Sequence, residues 1–217
     1  MPWLGFFDQV KRADLFVIYD DVPFDKHGWR NRNRIKSPQG YQWLSVPVLH
    51  RGRSGQLNKE VEINYQQNWQ KKHLKTIAQF YAKAPFLEHY LPALDAILNA
   101  SHRLLIDLNM ALIYKFCEWL GIDTPFVFSS ALDVSGGRSE RLVSICQHFK
   151  VKRYLTGNAA ETYLDSDLFE NNKIDIEWQN YCHPTYDQFG SDFLPFLSIL
   201  DFIMNRGDQS KEELCCG

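Results

Sequence analysis

The sequence has no apolar run long enough to cross a bilayer. Its longest, Phe193 to Met204, is interrupted by Pro195, Ser198 and Asp201 and falls short of the roughly 20 residues that a spanning helix needs. It does not open like an export signal either, because Met1-Pro2-Trp3-Leu4-Gly5 has no basic stretch leading into an apolar core. Cysteine is sparse, and the five present (Cys117, Cys146, Cys182, Cys215 and Cys216) include no Cys-x-x-Cys spacing. An odd set without that spacing points to neither a disulfide framework nor a zinc site. A surplus of one charge is also missing: 24 basic against 26 acidic residues leave a formal charge of −2. Nothing therefore draws the whole chain toward nucleic acid or an anionic membrane, and any anion site must be local. The Walker loop with its lysine and the Gly-x-Gly-x-x-Gly fingerprint are absent. The expected setting is a reducing cytoplasm, with Cys117, Cys146 and Cys182 as packing thiols and Cys215 and Cys216 in a frayed tail.

What is present describes one globular domain spanning residues 1–217, able to bury a sizeable, aromatic-rich core: 45% hydrophobic and 14% aromatic residues beside 23% charged. Residues Gly5 to Arg12 read as a short helix. Ala13 to Asp21 is a continuous apolar run ending in acids, as in a strand covered on both faces. A second strand is expected over Tyr41 to Leu49, with a loop from Pro23 to Gly40 between the two. Helical spacing recurs over Asn68 to Lys83, Leu91 to Leu98 and Leu104 to Leu120, with Ser101 as a candidate N-cap and Gly121 as a stop. Beyond that helical middle, strands are expected at Phe126 to Phe128, Val151 to Leu155 and Ile174 to Trp178. They alternate with helices over Arg138 to Lys150, Asp165 to Asn171 and Leu194 to Asn205. This rhythm predicts an α/β fold with a mainly parallel, Rossmann-like three-layer sheet.

In such sheets ligands sit beyond the carboxyl ends of the strands, which singles out Asp20 and Asp21. Either could serve as a base, hold an ammonium group or bind a metal, and only one of two neighbouring strand side chains is expected to face the crevice. The stretch that follows interleaves Lys26, Arg30, Arg32, Arg34 and Lys36 with Trp29, Asn31 and Asn33. Arginine forks hold oxyanions bidentately, so phosphate or carboxylate binding is expected here. An RNA-binding arm is the weaker reading, since the rest of the chain supplies no basic surface. Gly157, just after a strand, could bring backbone N–H groups to a phosphate or acyl oxygen. His183, Tyr186 and Gln188 are polar groups of a loop, with His183 a candidate base. Cys182 beside it is a weaker candidate nucleophile, and His73 is expected on the surface of its helix. No cofactor and no metal-ligand set can be named from these residues.

Several segments together resemble the WbqC-like protein family. They are Pro2-Trp3-Leu4-Gly5-Phe6-Phe7, Ala13 through Val22, Trp29-Arg30-Asn31-Arg32-Asn33-Arg34-Ile35-Lys36, Tyr154-Leu155-Thr156-Gly157 with Tyr163-Leu164-Asp165, and His183 through Gln188 with Leu197 through Asp201. The resemblance spans nearly the whole chain. It implies a bacterial protein of O-antigen and other surface-glycan gene clusters, with a glycine, other aminoacyl or acyl transferase role onto an amino sugar. In that role Asp20 or Asp21 orients or deprotonates the amine, Arg30, Arg32 and Arg34 bind phosphate, and His183 is the rival base. The expected partners are a small nucleotide-linked or carrier-linked sugar or acyl group and an acyl carrier, with neither membrane nor nucleic acid. A noncatalytic protein that binds the same ligand is the alternative. Family members usually open with a short apolar strand ending in Gln-Pro, whereas this chain opens at Met1-Pro2, so the first strand of the sheet and a site loop are expected to be missing. The arrangement also resembles the nucleotidylyltransferase-type fold of pantothenate synthetase, without its His-x-Gly-His signature.

Overall fold

The computed structural model describes residues 1–190 and 192–214, so Cys215 and Cys216 lie outside the described residues. The chain enters through helix α1 (Leu4–Arg12), whose Leu4, Phe7 and Val10, one turn apart, are fully buried. Lys11 and Arg12 fall in its last turn, where cations suit the helix dipole. Strand β1 (Phe16–Ile18) follows and pairs in parallel with β4 (Phe126–Phe128), Phe16 opposite Phe126. A second parallel pair joins β5 (Arg153–Thr156) to β6 (Asp175–Trp178); α6 (Ser166–Asn171) lies in the crossover between them, and α5 (Arg138–His148) leads from β4 into β5. Asp165 caps α6 by accepting the Leu168 N–H at 3.1 Å.

The expected βαβ rhythm is therefore present, but the strands do not join into one sheet. Among the described residues every ladder is two-stranded. The parallel strands are only three or four residues long, and the third ladder is an antiparallel hairpin of β2 (Arg32–Ser37) and β3 (Gly40–Ser45). The Phe16 N–H bonds the Pro125 carbonyl at 2.9 Å. The alternation of a parallel ladder then turns the Val17 backbone groups to the opposite edge, where an open cleft takes the place of a further strand.

The helical middle consists of α2 (Trp69–Phe80), α3 (Leu87–Asn99) and α4 (Leu105–Leu120), and α7 (Ile199–Arg206) and α8 (Ser210–Glu213) close the chain. The main core joins α1, α4 and α7 to the hairpin. A smaller cluster of Val143, Cys146, Phe169 and Ile174 lies under α5 and α6. The core is aromatic-rich, with Phe7, Tyr81, Phe116, Phe169 and Phe202 fully buried. Gly121 ends α4 in a left-handed conformation, φ +65°, which a residue with a side chain rarely adopts.

Several expectations need correction. The segment Arg32 to Ser37 is a strand rather than part of a loop. Leu104, not Ser101, stands at the start of α4. Helix α7 begins at Ile199 instead of Leu194, because Ser198 caps it through the Leu200 N–H at 3.4 Å and Phe196 before it has φ +59°; α8 follows it. His73 is buried, not on the surface, its ring edge-on to Trp69 at 5.2 Å. Desolvation drives its pKa down to about 4 against a smaller opposing pull from the Ser45 backbone. Burial raises the thiols of Cys117 to about 12 and Cys146 to about 11, as for packing cysteines, whereas Cys182 is exposed.

Candidate functional site

Beside the free edge of β1 lies a cleft of about 780 Å³, within the size range of small-molecule sites. One wall is Phe16 to Tyr19. The facing wall is one stripe of α4, with Leu105, Ile106, Asn109, Met110 and Ile113 recurring at helical spacing. Trp3, Phe6 and Phe196 complete the apolar lining, and Asp20, Asp25, Arg30, Asn33, Arg34 and Asn58 supply most of its polar groups.

The paired carboxylates separate as neighbouring side chains must. Asp20 lines the cleft and Asp21 does not. Asp20, only 4% exposed, accepts on Oδ1 from the Ser130 N–H at 2.9 Å and from Ser129 Oγ at 3.2 Å. Its Oδ2 accepts from Ser130 Oγ at 2.7 Å and keeps one lone pair unused. Asp21 pairs with Arg141 and also accepts from Ser129 Oγ. The single Ser129 hydroxyl proton serves one carboxylate at a time, so the turn after β4 links the two acids. Burial works to raise the Asp21 pKa, but the Arg141 and Ser129 hydrogen bonds and the guanidinium charge outweigh it and hold the group below its usual range. Arg141 also lies 5.2 Å over the Tyr19 ring.

The basic residues divide by strand alternation. Arg32 and Arg34 project from the outer face of β2, opposite Ser45 and Trp43, while Asn33 and Ile35 point into the core. Arg32 stacks on Trp43 at 4.8 Å and holds the preceding loop through the carbonyls of His27 and Gly28. Arg34 lies 5.3 Å over Trp29 and 5.1 Å over Tyr41, and donates to the Phe196 carbonyl at 3.3 Å. Among the described residues no carboxylate pairs with Arg30, Arg32 or Arg34. Asn33 donates to the Met1 carbonyl at 2.9 Å. Asn31 donates to the Val46 carbonyl at 3.0 Å and is not part of the cleft lining. Trp29, Arg30, Asn33 and Arg34 thus meet Asp20 at one cleft.

The remaining candidates do not reach it. Lys26 is exposed and outside the lining. Gly157 packs against Gln9, whose amide nitrogen lies 3.1 Å from where a Cβ would stand. Tyr186 and Gln188 serve another centre: they donate to Asp201 Oδ2 at 2.8 and 2.7 Å, and Tyr81 donates to Oδ1 at 2.7 Å. His183 sits behind Phe196, the rings 5.2 Å apart. Its Nδ1 is 2.8 Å from the Pro184 carbonyl, which has no proton to give, so Nδ1 carries the hydrogen and Nε2 is an unprotonated acceptor. That Nε2 is buried without a partner. Desolvation lowers the His183 pKa, partly opposed by the Pro184 hydrogen bond.

A model of the WbqC-like protein family matches residues 1–213. The chain belongs to the WbqC-like protein family. It is 36% identical over 216 residues to the uncharacterized protein Rv1507c of Mycobacterium tuberculosis, covering 99% of this chain and 93% of that one. No solved structure matches the chain at a significant level.

In this WbqC-like chain, sequence reasoning missed three polar residues of the cleft and one buried acid. Asn58 is buried and leaves Oδ1 without a hydrogen-bond partner while Nδ2 reaches the Tyr19 carbonyl at 3.4 Å. Asn109 donates to the Arg30 carbonyl at 3.0 Å. Asp25 accepts the His27 N–H at 2.8 Å. Asp201, fully buried, was hidden within an apolar run. Of these four, Asn109 carries a usable sequence signal, as a polar position on an otherwise apolar stripe of α4. Among the described residues no group of three histidine, cysteine or carboxylate side chains has metal-binding geometry, and no helix is long and apolar enough to cross a membrane.

Proposed function

We propose that the protein transfers an acyl or aminoacyl group, such as glycyl, to the amine of a sugar during cytoplasmic synthesis of a surface polysaccharide such as O-antigen. The observation that carries this reading is a single cleft joining unpaired arginines at its rim to one buried carboxylate, Asp20. Arg30 and Arg34 neutralise the phosphate of a nucleotide-linked or carrier-linked substrate. The apolar walls exclude water from the activated acyl group and so limit its hydrolysis. The sugar amine attacks the acyl carbonyl, a C–N bond forms, and the bond from carbonyl carbon to the leaving sulfur or oxygen breaks. The amine proton passes to the free lone pair of Asp20 Oδ2 and then to the leaving group. Asn58, which lines the cleft beside Asp20, helps to orient the sugar.

A specific observation favours a second reading, a noncatalytic protein that holds the same ligand for a partner enzyme or acyl carrier. Ser130 donates two hydrogen bonds to Asp20, and Ser129 a third that it shares with Asp21, so most acceptor positions of Asp20 are already occupied, and His183 lies outside the cleft lining. The two readings separate by incubating the protein with a nucleotide-linked amino sugar and a glycyl thioester and following the N-glycylated product by mass spectrometry. Transfer predicts product, at least about 100-fold less with Asp20→Asn, the scale of lost general-base catalysis. Tight binding with no product from any activated donor supports the second reading.

A further inference from the structure

The outer face of the β2–β3 hairpin gathers aromatic rings and arginines. Trp29 is 59% exposed and Tyr41 48% exposed. The two flank Trp43, with ring centroids 5.2 and 6.2 Å from it. Arg34 lies over all three rings and Arg32 over Trp43. Large exposed aromatics are costly in water unless something covers them, and guanidinium groups resting on them offer positive charge along the same face. Trp29 and Arg34 belong to this face and to the cleft rim at once, and Arg30 adjoins them on the rim. Asp25, a carboxylate of the rim, accepts the His27 N–H, and among the described residues it pairs with none of the three arginines.

We propose that this aromatic face stacks the base of a nucleoside diphosphate while Arg30 and Arg34 hold its phosphates, which makes the substrate of the cleft nucleotide-linked rather than carrier-linked. The proposal rests on the reading of the cleft as a substrate site and names its substrate class. Flat rings accept any base through its π face, and unpaired arginines complement the diphosphate. A protein partner would instead be expected to meet carboxylate partners for the arginines or a larger apolar patch, and the overall charge of −2 supplies no extended track for a polynucleotide.

The test is calorimetric titration of the whole chain with UDP, ADP and inorganic pyrophosphate, on the wild type and on Trp29→Leu and Arg30→Met. Both positions are exposed, so both variants are expected to fold. The nucleotides should bind at least about 5-fold more tightly than pyrophosphate, the scale of base stacking on an aromatic ring. Trp29→Leu should remove that difference and leave pyrophosphate binding unchanged, whereas Arg30→Met should weaken all three ligands. Nucleotides that bind no better than pyrophosphate, or are indifferent to Trp29→Leu, overturn the proposal. So does a single-stranded oligonucleotide that binds far more tightly than UDP with a steep salt dependence. None of these failures decides the transfer reaction, which is read by product formation with carrier-linked substrates.

Discussion

At the scale of single residues, the buried acid Asp201 shows how polar groups are afforded a place in this core. Burial raises its pKa, while donors from Tyr81, Tyr186 and Gln188 and the nearby Lys36 charge work to lower it. Tyr81→Phe removes a donor from a fully buried carboxylate and is expected to destabilise the fold by about 1–3 kcal/mol, read as a lower urea midpoint at unchanged slope. His73 gives a pH signature of opposite origin. Its unfolded imidazole protonates near pH 6.5 and its folded one only near 4, so between those values the unfolded state binds more protons. Stability is whole above pH 6.5 and falls as pH drops toward 4, by about 3 kcal/mol in all. Urea titrations at pH 7 and pH 4.5 should show this slope flattened in His73→Leu; an equal slope in both proteins would mean that another group titrates.

At the scale of elements, the segments best read from sequence were those whose signal is local. The apolar face of α1, the run that becomes β1 and the glycine that ends α4 each carry their reason within a few neighbouring residues. Strand β2 was missed because its outward positions are arginines, which read as a solvated loop. The aromatic rings that cover them come from Tyr41 and Trp43 across the hairpin and from Trp29. The Asp201 cluster was illegible for a related reason: its donor Tyr81 is 120 residues away, and no pattern within α7 announces it. The polarity of His73 suggests exposure, but the residue shares the buried face of α2 with Trp69, one turn earlier on the same helix. The end of α7 supplies a prediction at this scale. Gly207 has φ +54°, and a Cβ there would stand 2.4 Å from the Phe86 ring. Gly207→Ala should therefore cost about 2 kcal/mol or more, from strained backbone and overpacking together, measurable as a fall in melting temperature.

At the scale of the whole molecule, the cleft gathers residues from distant parts of the sequence: the first helix, the end of β1, the hairpin, the stripe of α4 and Phe196. The charged and amide part of the candidate site was legible in one stretch of sequence; the rest was not. Asp20, Trp29, Arg30, Asn33 and Arg34 lie close together in sequence and meet at the cleft, whereas Asn58, Asn109 and the apolar wall arrive through tertiary folding alone. The balanced overall charge leaves the rim arginines as a local feature, so ligand affinity should weaken only modestly with salt. A cleft-filling substitution, Ile106→Trp, should abolish ligand binding while leaving the far-ultraviolet circular dichroism unchanged. The most direct measurement of the central claim is mass-spectrometric detection of an N-acylated amino sugar formed by the purified protein from a nucleotide-linked amino sugar and an activated acyl donor. The account predicts product with the wild type, and little with Asp20→Asn or Ile106→Trp. Product formed equally by all three proteins, or by none while the ligand still binds, would contradict it.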